Sequence, residues 1–300
     1  MVVGYSRVKD TSMRSVLCSW WFTFSAGIFA IPFSTGEDLL AIDSPAVKAD
    51  VVYGHKDGMA LTMDVFEPTG EANGAGLMFM VSGGWVSTWS PPDRMLPLIQ
   101  PLLQRGYKVI AVRHGSSPRY VIPEIVSDVR LAHEFVHDHA KEWNIDPEKI
   151  GVFGFSAGGH LSLVLGTTSN GDADRKAGRK ARIAAVAAVF PPTDLRPYMA
   201  LDNPLREKFP ALKFPLDQGP DYSPLLQVSP DDAPTVLIHG DKDELVPIWH
   251  SEKISSAFDE LKVPTELLVI EGAAHGFDAE GNKRMFTAMV QWFDKHLLGK

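Results

Sequence analysis

The chain has 300 residues, of which 45% are hydrophobic and 22% are charged, and its formal net charge is -8. These proportions are those of an ordinary globular protein and exclude fibrous and intrinsically disordered classes. The acidic balance, with no dense run of Lys and Arg, argues against nucleic acid as a partner. Cys18 is the only cysteine, so the sequence excludes an intrachain disulfide and a cysteine-ligated metal cluster.

An uncharged segment, Ser15 to Gly36, follows three basic residues near the N-terminus: Arg7, Lys9 and Arg14. This order is typical of a signal peptide, and it is clearer if translation begins at Met13 instead of Met1. The apolar part is short for a membrane-spanning helix, which needs about 20 residues. We expect residues 1–36 to direct export to the periplasm or the medium; an uncleaved membrane anchor and a cytosolic helix are the alternatives. Residues 37–300 are then expected to form one folded domain.

The elements of this domain begin with Asp50 to Pro68, where apolar and polar residues alternate around a Lys56-Asp57-Gly58 turn and predict an antiparallel hairpin. Six short apolar runs follow, typical of parallel strands covered on both faces. These runs are Leu77 to Val81, Tyr107 to Val112, Ile150 to Phe153, Ile183 to Phe190, Thr235 to Ile238 and Thr265 to Ile270. Helical segments alternate with them: Arg94 to Gln104, Pro123 to Lys141, Ala157 to Gly166, Trp249 to Leu261 and Lys283 to Leu298. The alternation predicts an α/β protein with a mostly parallel, doubly wound, eight-stranded sheet.

One connection, Pro191 to Pro234, is much longer than the others, rich in proline and without periodicity. Long irregular insertions in a compact domain often form lids or binding loops. We therefore expect residues 191–234 to form a short lid-like insertion, and the alternative is a surface excursion that contacts nothing.

A Gly-x-Ser-x-Gly pattern at residues 154–158 places Ser156 between a predicted strand and a predicted helix. This order is the context in which the pattern holds a nucleophilic serine on a sharp turn. A serine hydroxyl needs a base to take its proton and a carboxylate to orient that base. His275 and Asp243 follow the last two predicted strands, at the sheet edge where open α/β sheets build their sites. Asp241 competes for the carboxylate role, but its place directly after the strand favours a turn-capping function.

Three stretches together resemble a known family, the carboxylesterases of the α/β-hydrolase superfamily, especially the hormone-sensitive-lipase-like and feruloyl or acetyl xylan esterase-like groups. They are IDPEKIGVFGFSAGGHLS, HGDKDELVP and EGAAHGF. The resemblance covers roughly Val51 to Leu298 and implies the α/β-hydrolase fold, with Ser156, Asp243 and His275 as a catalytic triad. Such a triad needs no cofactor and no metal.

The loop opposite the nucleophile departs from this family. Where the family usually has His-Gly-Gly-Gly, this chain has the stretch Val81-Ser82-Gly83-Gly84-Trp85. Two glycines remain, so the resemblance implies an oxyanion hole formed by the main-chain N–H groups of Gly83, Gly84 and Ala157. The change at Val81 and Ser82 puts the rigidity of this loop in question.

A second motif, His133-Glu134-Phe135-Val136-His137, matches the H-E-x-x-H pattern of zinc peptidases. Val136 belongs to the buried stripe of its helix, so both histidines are expected to lie beside that stripe and border solvent. The extended glycine and third histidine of the metzincin pattern do not follow. We therefore interpret the motif as part of a solvated helix face.

The expected function is hydrolysis of short-chain or carbohydrate-linked esters through an acyl-enzyme. Five aromatic residues near predicted strand ends or in the insertion are predicted to line the substrate pocket: Trp85, Trp89, Phe155, Tyr198 and Phe277. We expect no contact with a membrane unless the leader stays uncleaved. The alternatives are an exopeptidase or acyl-peptide hydrolase with the same triad, a zinc peptidase, and a catalytically silent binding protein of the same fold.

Overall fold

The computed structural model describes residues 45–168 and 182–300. The predicted signal peptide, like its alternatives, lies outside these residues. Among the described helices, none combines the length and hydrophobicity required to cross a membrane.

The domain begins with the predicted antiparallel hairpin, which is confirmed. Strands β1 (Val47–Lys56) and β2 (Met59–Phe66) pair along their length. Asp57 and Gly58 connect them with φ angles of 49° and 79°. A two-residue hairpin loop of this kind needs positive φ at both central positions, and Asp-Gly is a favoured pair there.

Six parallel strands complete the sheet: β3 (Gly76–Met80), β4 (Lys108–Val112), β5 (Ile150–Phe155), β6 (Ala185–Val189), β7 (Thr235–Gly240) and β8 (Thr265–Ile270). In the described part of the chain, the eight strands form one sheet in the order β1-β2-β4-β3-β5-β6-β7-β8. β2 runs antiparallel to both β1 and β4, and all other neighbouring strands are parallel. The predicted α/β-hydrolase fold is therefore confirmed.

Helices cover both faces of the sheet. They are α1 (Leu96–Gln104), α2 (Ile122–His139), α3 (Ala157–Thr168), α4 (Arg196–Met199), α5 (Pro204–Lys208), α6 (Trp249–Glu260) and α7 (Ala279–Phe293). Side chains of β3 alternate between two apolar clusters: Leu77 and Phe79 pack with α1 and α7, and Met78 and Met80 pack with α2, α3 and α6. This alternation explains why the strands read as continuous apolar runs.

The insertion at 191–234 contains α4, α5 and several 3-10 turns. Leu195, Leu212 and Phe214 of this segment are buried in the main apolar cluster. Its C-terminal end is tied to the domain, since the N–H of Ala233 donates to the carbonyl oxygen of Gly166 at 3.1 Å. The insertion is therefore a packed wall of the domain, and the alternative of a surface excursion that contacts nothing is wrong.

Candidate active site

Ser156 lies on a sharp turn between β5 and α3. Its φ of 52° is in the left-handed region, which costs a non-glycine residue about 1–2 kcal/mol. The two motif glycines allow the turn to close. A Cβ on Gly154 would lie 2.4 Å from the backbone of Gly158, and one on Gly158 would lie 2.4 Å from the carbonyl oxygen of Met80. The local sequence thus holds the serine hydroxyl at the N-terminus of α3.

His275, in the loop after β8, joins Ser156 to Asp243. Its Nε2 lies 2.9 Å from Oγ of Ser156, and its Nδ1 lies 2.6 Å from Oδ2 of Asp243. An ionised carboxylate only accepts hydrogen bonds, so Nδ1 carries the proton and Nε2 presents a lone pair to the serine hydroxyl. The structure therefore brings together the three side chains that the sequence singled out, in the geometry of a nucleophile, a base and an orienting carboxylate.

The surroundings of Asp243 keep its carboxylate ionised. Oδ1 accepts from the N–H groups of Leu245 and Val246 at 3.0 and 2.9 Å, and Nε2 of His239 lies 3.3 Å from Oδ2. Burial alone raises the pKa of Asp243, but hydrogen bonds from His239, His275 and the N–H of Val246 outweigh it and hold the pKa below its ordinary value. The negative charge beside His275 is thus present at neutral pH.

Asp241, the competing carboxylate, contacts other groups. One oxygen accepts from the N–H of Gly272 at 2.5 Å, and the other lies 3.3 Å from Nζ of Lys242. Asp241 therefore joins the turn after β7 to the turn after β8, as a turn-capping residue does.

The loop after β3 forms a tight turn in which Gly83 and Val86 exchange two backbone hydrogen bonds of 3.0 Å. The central residues, Gly84 and Trp85, have φ angles of 56° and 60°. The N–H of Gly83 is occupied by Val86, which corrects the expectation that it faces an oxyanion. The N–H groups of Gly84 and Ala157 have no acceptor among the described residues, and both residues line the same pocket as the nucleophile.

Ser82 anchors this loop through His114, a residue that the sequence analysis did not single out. Nδ1 of His114 lies 2.8 Å from the carbonyl oxygen of Gly115, so it carries the proton, and Nε2 accepts from the hydroxyl of Ser82 at 2.8 Å. Burial lowers the pKa of His114 to about 4, which keeps the ring neutral. The carbonyl oxygen of Ser82 accepts from the N–H of Gly158 at 3.3 Å. Ser82, in the stretch that departs from the family pattern, is therefore fixed by hydrogen bonds of both its side chain and its main chain.

His160, in the first turn of α3, holds Trp85 from behind. Nε2 of His160 lies 2.8 Å from the carbonyl oxygen of Tyr222 and must donate to it, so Nδ1 accepts from the indole N–H of Trp85 at 3.2 Å. The ring is fully buried, and burial lowers its pKa to about 4. These bonds connect the turn that carries Gly84 to the nucleophile helix and to the insertion.

A small pocket adjoins Ser156. Trp85 and Tyr198 line it, as the sequence predicted. The rest of its wall is mainly aliphatic or aromatic and comes largely from the insertion, with Pro192, Leu205, Phe209, Leu212 and Val246 among its residues. The site therefore offers a small, apolar compartment beside the nucleophile.

Three predicted pocket residues do not line this compartment. Trp89, in the loop after β3, is 56% exposed. Phe155 and Phe277 pack on Phe190, with ring centroids 6.2 and 5.4 Å apart. Phe190 in turn contacts the ring of His275 at 4.5 Å. This aromatic group supports the base, and the expectation that these residues line the pocket is corrected.

The chain matches the BD-FAE family over residues 63–258. The chain belongs to the BD-FAE family. Among similar proteins is the probable carboxylic ester hydrolase LipM of Mycobacterium tuberculosis, 28% identical over 78% of this chain and 57% of LipM. Esterase LipQ of the same organism is 26% identical over 83% of this chain and 62% of LipQ. This BD-FAE chain thus spans about three fifths of the length of these relatives.

A solved structure with the same fold is a truncated carbohydrate esterase from gut microbiota. It has a TM-score of 0.71 and 24% identity, and the match covers 86% of this chain and 98% of that protein. The sequence resemblance to esterases of the α/β-hydrolase superfamily is therefore confirmed: this BD-FAE member is an α/β-hydrolase related to carboxylic ester hydrolases.

The H-E-x-x-H motif lies on α2 of this BD-FAE domain. His133 is only 2% exposed, which corrects the expectation that both histidines border solvent. A backbone hydrogen bond joins this buried ring to Arg182, just before β6. His137 is half-buried. Within residues 45–168 and 182–300, no group of three or more His, Cys, Asp or Glu side chains is arranged to hold a metal ion.

Proposed function

We propose that this protein is a serine carboxylic ester hydrolase that acts through an acyl-enzyme. The observation that carries the proposal is the continuous line from Ser156 Oγ to His275 Nε2 at 2.9 Å and from His275 Nδ1 to Asp243 Oδ2 at 2.6 Å. The esterase relatives of the family support the same chemistry.

In the first half of the reaction, Ser156 Oγ attacks the ester carbonyl carbon while its proton passes to Nε2 of His275. Asp243 stabilises the resulting imidazolium. The N–H groups of Gly84 and Ala157 stabilise the oxyanion, and one such donor is typically worth about 3–4 kcal/mol in the transition state. The imidazolium then protonates the leaving alcohol oxygen, the C–O bond breaks, and the acyl group remains on Ser156.

In the second half, His275 removes a proton from water, which attacks the acyl-enzyme, and the proton returns to Ser156 as the carboxylic acid leaves. A small pocket with a mainly apolar wall favours short acyl groups over long chains. The carbohydrate esterase with the same fold supports a sugar as the alcohol part of the substrate ester.

The test compares matched variants on a 4-nitrophenyl acetate substrate. Ser156→Ala removes the nucleophile and should lower kcat by at least about 10⁴-fold without changing the circular dichroism spectrum. Asp243→Asn should lower kcat by about 10³- to 10⁴-fold because the ring of His275 loses its orienting charge. Asp241→Asn, two residues away, should stay within a few-fold of wild type. Equal losses in the two aspartate variants would contradict the proposed roles.

Ester and amide substrates separate this proposal from its nearest rival. A serine exopeptidase would hydrolyse an aminoacyl 4-nitroanilide as readily as the matching ester, whereas an esterase should favour the ester by several orders of magnitude. A phosphonate that labels Ser156 stoichiometrically, mapped by mass spectrometry, would exclude a catalytically silent protein of the same fold.

A further inference from the structure

Tyr198 of α4 lies in the wall of the pocket beside Ser156, with a histidine behind it. The Oη atom of Tyr198 lies 2.6 Å from Nε2 of His250, in α6, and both side chains are buried. Because both groups can donate and accept, the direction of this hydrogen bond depends on which nitrogen of His250 carries the proton.

The backbone groups around His250 determine which of the two side chains donates this hydrogen bond. Its Nδ1 faces the N–H groups of Thr193 and Asp194 at 3.0 and 3.4 Å, and these groups can only donate. The hydroxyl of Thr193 gives its own proton to the carbonyl oxygen of His250 at 2.8 Å. Nδ1 is therefore an acceptor. Burial lowers the pKa of His250 to about 3, so the ring is neutral and its single proton is on Nε2.

With Nε2 as donor, the oxygen of Tyr198 accepts and its own O–H proton stays available. No acceptor for this proton is present among the described residues. The phenol does not lose it by ionisation, since burial, together with the charges of Asp243 and Asp194, raises the pKa of Tyr198. Besides the main-chain N–H groups of Gly84 and Ala157, the pocket wall therefore contains an unused side-chain hydrogen-bond donor.

The position of His275 identifies the part of the substrate that enters the pocket. His275, which must protonate the leaving alcohol oxygen, does not line the pocket. Gly84 and Ala157, whose N–H groups face the carbonyl oxygen, do line it. The alcohol side therefore leaves toward His275, and the acyl group lies along the wall that contains Tyr198.

We propose that Tyr198 is a specificity-determining residue that donates a hydrogen bond to an oxygen of the substrate's acyl group. The favoured substrates are esters of short oxygen-bearing acids, such as alkoxy, hydroxy or keto acids, over esters of plain alkanoic acids of the same size. This inference rests on the proposed ester hydrolysis at Ser156. It extends that function by assigning the chemistry of the acyl side.

The test uses two 4-nitrophenyl esters of nearly equal shape, methoxyacetate and butyrate, in which an ether oxygen replaces one methylene. The measured quantity is the ratio of kcat/KM for methoxyacetate to that for butyrate. In Tyr198→Phe this ratio should fall roughly 3- to 10-fold, the value of one neutral hydrogen bond. The greater intrinsic reactivity of methoxyacetate cancels when the two ratios are compared.

Tyr222→Phe is the matched control. Tyr222 belongs to the same insertion but does not line the pocket, and the substitution keeps the backbone carbonyl group that accepts from His160. Its ratio should equal that of wild type. If Tyr198→Phe fails to fold, the wild type alone provides the test. A methylthioacetate ester, whose sulfur is a weak acceptor, should then react roughly 3- to 10-fold more slowly than methoxyacetate.

An unchanged ratio in a folded Tyr198→Phe variant, or equal wild-type rates for the oxygen and sulfur esters, would overturn the inference while ester hydrolysis stands. Failure of the wild type to hydrolyse any of the esters faster than Ser156→Ala would instead overturn the proposed function.

Discussion

Gly84→Ala tests whether the turn after β3 sets the position of an oxyanion donor. Gly84 has a φ of 56°, where an alanine costs about 1–2 kcal/mol. Its Cβ would lie 2.9 Å from Cδ1 and Cε1 of Phe209, so the ring or the turn must move. Because the N–H of Gly84 is one of the unoccupied donors beside Ser156, movement of the turn should weaken oxyanion binding.

The expected loss in kcat is about 10²- to 10³-fold, the usual cost of removing one oxyanion donor, with KM changed little. The melting temperature should fall by several degrees, since about 1 kcal/mol corresponds to about 2–4 °C in a domain of this size. Initial rates on 4-nitrophenyl acetate and a thermal melt measure both effects.

Gly83→Ala is the control next to it. Gly83 does not have positive φ, and a Cβ there meets nothing within 4 Å. This variant should keep the wild-type kcat to within about 3-fold. Wild-type kcat in Gly84→Ala, or an equal loss in Gly83→Ala, would refute the assignment of the donor to Gly84.

Two further predictions concern buried histidines. Ser82→Ala leaves Nε2 of His114 without a donor and should lower the free energy of unfolding, measured in urea, by about 1–3 kcal/mol. Ser82→Ala combined with His114→Phe should recover part of that loss. No recovery would mean that the pair does not hold the loop. His133 has its pKa lowered by burial to about 4, so between about pH 6.5 and pH 4 only the unfolded chain takes up this proton, and stability falls as pH falls. His133→Leu should reduce the difference in unfolding free energy between about pH 7 and pH 4.5 by about 2–3 kcal/mol, measured by urea unfolding at the two pH values. An unchanged difference would contradict the burial argument.

The sheet could be predicted from the sequence because strands covered on both faces leave continuous apolar runs. The predicted and observed bounds of β8 coincide at Thr265–Ile270. Helix bounds were less accurate. The last helix was predicted from Lys283, but α7 begins at Ala279, where the side chain of Asp278 caps it by accepting from the N–H of Gly281 at 2.8 Å. An aspartate before a helical segment is a readable capping signal.

The candidate nucleophile, base and carboxylate were predictable because each stands in a local motif at a strand end. The groups that position them were not, because they meet through tertiary contacts between distant residues. Trp85 and His160 are 75 residues apart, and Tyr198 and His250 are 52 apart. His114 and His239 do carry one readable signal, since both lie at the carboxyl ends of predicted parallel strands.

The packing of the insertion links substrate range to folding in this domain. Leu212 lines the pocket and also belongs to the main apolar cluster, at 1% exposure. Truncating such a residue to alanine typically costs about 2–5 kcal/mol, a large share of the stability of an ordinary domain. Directed evolution toward bulkier acids should therefore accumulate stabilising substitutions elsewhere before, or together with, those that widen the compartment. Variants selected first for thermal tolerance should give more active descendants on large substrates than variants drawn from the parent.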